Sequence, residues 1–142
     1  MRKNNKKTLG FTLFELLVSI SIIAILTAIA SMSFSGAQKK ARDSRRMSDM
    51  NSIQKAAEQY YSFSNYVYPV PTGKWTATNG QVVLDVFPVD PKGVGATPYV
   101  YVGGATYCSC AALESNTGNS NDTTCTTFVA GTGSYYCVKN QQ

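Results

Sequence analysis

"KKTLGFTLFELLVSISIIAIL", residues 6–26, reads as a membrane segment with one anomaly, Glu15 near its start. An ionised carboxylate in hydrocarbon costs on the order of a few kcal/mol or more unless something pairs with it, so the charge needs a purpose. Between residues 11 and 30 the polar positions are few: Thr12, Glu15, Ser19, Ser21 and Thr27. About 20 residues rising ~1.5 Å each cross a ~30 Å hydrocarbon core, so one span is expected.

Upstream, Arg2, Lys3, Lys6 and Lys7 form a short basic leader. They account for most of the net charge of +5, because nine Lys and Arg face eight Asp and Glu from Phe11 onward. Bulk charge therefore gives no argument for nucleic acid.

Downstream, no Pro or Gly lies between Ala37 and Phe63, and Gly36 is a weak point worth ~1 kcal/mol relative to Ala. In "RRMSDMNSIQKAAEQYY", Met47, Met50, Ile53, Ala57 and Tyr60 recur every three or four positions, the pattern of one helix face. The membrane helix is expected to continue into water. Prolines and a glycine in "SFSNYVYPVPTG" then end it.

Four short antiparallel strands follow, in "QVVLDVFPV", "TPYVYVGG", "TYCSCAALE" and "SYYCVKN", with "DPKG" at 90–93 as a turn. Residues 115–133 look too polar to pack and read as a loop. The fold class is α+β: a long N-terminal helix packed on a small antiparallel sheet with a disulfide-tied C-terminal loop. The divisions expected are a leader 1–10, a membrane and assembly half of the helix 11–35, an amphipathic half 36–63 and a globular β part 64–142.

The chain has no histidine, which removes the commonest general base and metal ligand, and no nucleophile arrangement is visible. No catalytic residue and no cofactor is expected. Cys108, Cys110, Cys125 and Cys137 all lie in the last third, an even count in a loop-rich region that points to disulfides in an oxidising compartment. A structural zinc site is the rival reading. Pairing Cys108 with Cys137 and Cys110 with Cys125 is favoured over the crossed alternative.

The basic leader ending in Gly10, then "FTLFELL" with an acid at the fifth place after that glycine, closely resembles the processing site of type IV pilins and type II secretion pseudopilins. The resemblance implies cleavage by a prepilin peptidase between Gly10 and Phe11, N-methylation of Phe11, residence in the inner membrane, and extraction by assembly machinery into a homopolymeric surface filament. It also implies that Glu15 pairs with the N-terminal amine, on Phe11, of a neighbouring subunit. A buried charge tolerated only when paired sets register. The chain departs from the family where many members have a proline and an upstream glycine, since Met32 and Ala24 stand there. It also lacks an obvious acidic calcium loop, with only Glu114 and Asp122 as C-terminal acids, which favours a pilin over a secretion pseudopilin; a pseudopilin or minor pilin is the runner-up.

Three other readings compete. "AIAS" at 28–31 offers a signal-peptidase pattern after Ala30, opposed by Glu15 and the basic residues beyond it. Lys39, Lys40, Arg42, Arg45 and Arg46 invite contact with DNA or lipid phosphates, against the ordinary reading of a solvated face with Asp43–Arg46 and Arg45–Asp49 pairs. A membrane-anchored DNA-binding or adhesion module is the alternative from another class. Tyr60, Tyr61, Phe63, Tyr66 and Tyr68 are read as the seam between helix and sheet rather than as an adhesive or conducting group.

Overall fold

The computed structural model describes residues 10–71, 73–125 and 133–141. Helix α1 runs Leu13–Phe63, followed by β1 Trp75–Thr76, β2 Val82–Leu84, β3 Val100–Val102, β4 Cys108–Ala112 and β5 Tyr135–Lys139. The chain forms two compact units that divide between Ala37 and Gln38.

The first unit is the apolar part of α1, helical through Ala24, Met32 and Gly36. Its large side chains, among them Leu13, Phe14, Ile20 and Ile29, are exposed around the helix, and the segment is long and apolar enough to cross a membrane. The few polar side chains satisfy themselves locally. Ser19 donates to the Glu15 carbonyl, Ser21 to Val18, Thr27 to Ile23 and Ala24, and Ser31 to Thr27. Hydroxyls bonded back to their own helix leave no donor for hydrocarbon to strand.

In the second unit α1 buries a stripe with helical spacing: Asp43, Arg46, Met50, Ile53 and Ala57. The lower turns of that stripe are charged and the upper ones apolar. Past Phe63, Asn65 and Tyr66 take positive φ (53° and 59°), and the Tyr66 N–H returns to the Tyr61 carbonyl at 3.2 Å. Thr78 completes the helix end, donating through its hydroxyl to the Phe63 carbonyl.

Among the described residues there are five strands in two sheets, where four in one were expected. The additional strand, β1, pairs antiparallel with β2 across a turn at Asn79-Gly80. That dipeptide is the hairpin signal that betrays it in the sequence. The second sheet has the order β3-β4-β5, all antiparallel.

β4 is buried on both faces. Ser109 and Ala111 face α1, with the Ser109 hydroxyl 3.4 Å from Met50 Sδ, while Cys108 and Cys110 belong to a separate cluster with Cys137. Met50, Ile53, Ala57, Tyr68, Trp75, Tyr101 and Tyr107 make the main core. Of the aromatic group, Tyr68 is buried and Tyr60 and Tyr61 pack against the core, whereas Phe63 and Tyr66 are exposed, so the seam takes three of the five.

Two further corrections concern the C-terminal region. The described part of the 115–133 loop does pack: Ser120 is buried and bridges Tyr135, Gly118 bridges Gly133, and the Asn119 amide bonds both the N–H and the carbonyl of Cys137. Its polar side chains stand in for backbone partners along the free edge of β5. Residues 126–132 lie outside the described residues.

The disulfides follow the crossed alternative. Cys110 bonds Cys137, sulfurs 2.06 Å and Cα atoms 4.1 Å apart, and Cys108 bonds Cys125. The register sets Lys139, not Cys137, opposite Cys108. A slip of two residues keeps every side chain on its face, so alternation cannot detect the error.

Candidate functional site

At the N-terminal end of α1, Gly10 is exposed with open space around it, and Phe11 is 89% exposed. Thr12 and Glu15 form a reciprocal cap. Glu15 Oε2 accepts the Thr12 N–H at 2.9 Å and the Thr12 hydroxyl at 2.8 Å, and the Glu15 N–H donates to Thr12 Oγ1 at 3.2 Å. This is a capping box, and the T-x-x-E spacing that announces it stands in "TLFE". Within a single chain, then, the carboxylate already has partners on its own first turn, and the positive end of the helix dipole favours it further.

The second concentration of charge is built on the lower turns of the other unit. Arg46 is the hub: it donates to Asp43 Oδ1 at 2.7 Å, to both oxygens of Asp90 at 2.6 and 2.9 Å, and to Glu114 Oε1 at 3.0 Å. Arg42 forks onto Glu114 with two 2.7 Å bonds. Asp43 in turn accepts the backbone N–H groups of Glu114 and Ser115 at 2.9 and 3.0 Å. Beside them, Asp49 pairs with Arg45 at 3.1 Å and accepts the Tyr99 hydroxyl at 2.8 Å.

The electrostatics follow from those contacts. Hydrogen bonds from Arg42 hold the Glu114 carboxyl down at about 2. The Arg46 guanidinium holds Asp90 below its ordinary range. Burial pushes Asp43 up, but the bonds from Glu114, Ser115 and Arg46 outweigh it and the net shift is downward. Arg46 is raised, chiefly by its bonds to Asp90.

This cluster corrects the reading of 39–46 as a solvated or phosphate-binding face. Arg46 is 3% exposed and engaged with acids, and Arg42 is occupied by Glu114. Of the candidate anion contacts, Lys39, Lys40 and Arg45 stay exposed. The Asp43–Arg46 and Arg45–Asp49 pairs form as their spacing allows. Asp90 and Glu114 are the partners the sequence does not reveal, being 44 and 68 residues from Arg46. Such a network of paired, largely buried charges fastens chain segments together.

Residues 5–31 match the family described as the prokaryotic N-terminal methylation motif, so the chain carries a type IV pilin-like N-terminal methylation motif. Over 92 residues, 65% of its length, the chain is 30% identical to the type II secretion system core protein G of Vibrio cholerae. That alignment covers 58% of the relative, so the chain spans little more than half the length of the curated protein it matches. No solved structure matches it.

Proposed function

We propose that the chain is a structural, non-catalytic subunit of a type IV pilus. It is processed after Gly10, methylated at Phe11, held in the inner membrane as a precursor and polymerised at the cell surface through its apolar helix. The observation that supports this reading is the first unit: an apolar helix whose large side chains are exposed among the described residues, headed by one carboxylate within the matched motif. Apolar surface of that extent has to be covered, by lipid before assembly and by like helices after it.

Glu15 then sets register, because a subunit docked out of step leaves its carboxylate without the neighbouring amine. Prepilin peptidase, the assembly machinery and membrane lipid are the partners the reading requires. N-terminal sequencing of the surface-exposed protein is the direct test. A mature chain beginning at Phe11 is expected, whereas one beginning at Ser31 makes the segment a conventional signal. Gly10→Val is expected to leave only the uncut, membrane-retained form.

The similarity to a secretion-system core protein favours one second reading, a pseudopilin. Filament yield separates the two. Expressed with its machinery, a pilus subunit gives long surface fibres, and a pseudopilin restores secretion without them.

A further inference from the structure

Asn121-Asp122-Thr123 is the one Asn-x-Ser/Thr triplet in the chain, and it lies in the loop between β4 and β5, just ahead of Cys125. Spacing alone says little, because Asn, Ser and Thr are common in this loop. What distinguishes the triplet is which of its side chains the fold leaves unused.

The residues around it are engaged. The Asn119 amide accepts the Cys137 N–H at 2.7 Å and donates to the Cys137 carbonyl at 2.9 Å. Ser120 is buried, and its hydroxyl donates to the Asp122 carbonyl at 2.7 Å and accepts the Asp122 N–H at 3.2 Å. Asp122 Oδ1 accepts the Thr124 N–H at 3.0 Å and the Thr124 hydroxyl at 2.9 Å. Between these anchors Asn121 is exposed, Thr123 lines a groove open to solvent, and neither side chain makes a hydrogen bond among the described residues.

That pattern has a chemical consequence. In an N-x-[ST] acceptor the amide nitrogen takes the sugar and the hydroxyl two residues on is read by the transferase, so both groups have to be free. A carboxylate at the middle place could compete for that hydroxyl, but here it is spent on Thr124. The Cys108–Cys125 and Cys110–Cys137 bridges flank the same loop, and they are bonds of an oxidising compartment, the setting of such acceptors.

We propose that Asn121 is an N-glycosylation site that receives an oligosaccharide carried on a polyprenyl diphosphate. Asn121 Nδ2 attacks the anomeric carbon, and a C–N bond forms as the C–O bond to the diphosphate breaks. The polyprenyl diphosphate leaves with the electron pair, and Nδ2 gives up one proton to a base of the transferase. Thr123 acts through its hydroxyl as a positioning residue. The inference requires export of the second unit and is independent of the filament reading.

The test uses the full chain recovered from the envelope of the cells that make it, digested without reduction and analysed by electron-transfer mass spectrometry. The wild type is expected to carry a glycan mass increment on Asn121. Asn121→Gln and Thr123→Ala should each lose it, whereas Thr123→Ser, which keeps the hydroxyl, should retain it. The Cys108–Cys125 linkage in the same digest reports that each variant has folded and been exported, and the N-terminal peptide scores cleavage after Gly10 separately. Unmodified Asn121 in the wild type, or a glycan that persists in Thr123→Ala, would overturn the proposal.

Discussion

Arg46 and Asp90 meet across 44 residues of sequence in a two-pronged ion pair, Nε to Oδ2 at 2.6 Å and Nη2 to Oδ1 at 2.9 Å, with both side chains about 95% buried. A guanidinium fits a carboxylate in this way and an ammonium does not. The pair fastens the 90–93 turn to the helix. Arg46 Nη1 donates to both Asp43 and Glu114.

Removing the hub takes from Asp43 and Asp90 the cation each is paired with, while Glu114 keeps Arg42. Arg46→Met is expected to cost on the order of 3–5 kcal/mol in denaturant unfolding, as for other buried pairs broken on one side. Arg46→Lys should recover little of it. A loss below about 1 kcal/mol, the range of exposed pairs, would show that the cluster is not structural.

The same contacts make the second unit sensitive to acid. Asp43, Asp90 and Glu114 are all held below their ordinary values in the folded chain, Glu114 at about 2 against 4.5. Over this range the unfolded chain binds more protons than the folded one. Their contribution is therefore complete above pH 4.5 and is lost as the pH falls towards about 2. Unfolding free energy measured across that interval should decline, and Glu114→Gln should decline less steeply; an identical slope would remove Glu114 from the linkage.

Non-reducing peptide mapping of the oxidised protein should recover Cys110 joined to Cys137 and Cys108 joined to Cys125. Replacing the Cys110–Cys137 pair by Ser opens a loop of separation 27, worth roughly 3–4 kcal/mol in the chain-entropy model. Recovery of a Cys108–Cys137 peptide instead would mean that the strands pair two residues out of the register described.

At the other end of α1, substitutions can separate the two roles of Glu15. Glu15→Gln retains a side chain able to cap Thr12 but carries no charge. If register depends on the charge, this variant and Glu15→Ala should both lose filaments while the disulfides and the fold of the second unit persist. Normal fibre yield from Glu15→Gln would assign the residue to capping alone.

The sequence carried the parts of this fold that depend on local pattern. The apolar segment and its single acid, the helical repeat of Met50, Ile53 and Ala57, and the alternating Val, Tyr and Cys runs around β2 to β5 are all local patterns of one segment. The motif at the start of the helix is local too. β1 and the Thr12–Glu15 cap were also legible, as an Asn-Gly hairpin signal and a T-x-x-E spacing.

Other features depend on which distant residues meet, and they became fixed only in the tertiary structure. Arg46 has the sequence signature of an exposed basic run, and only Asp90 and Glu114, brought from the turn and the end of β4, make its burial tolerable. The cysteine pairing turns on a two-residue register choice that leaves every side chain on the same face. Hydrophobic patterning specifies which face is buried, because burial is paid for residue by residue. It leaves open which charge or sulfur stands opposite, because that is settled by the pairing of whole segments.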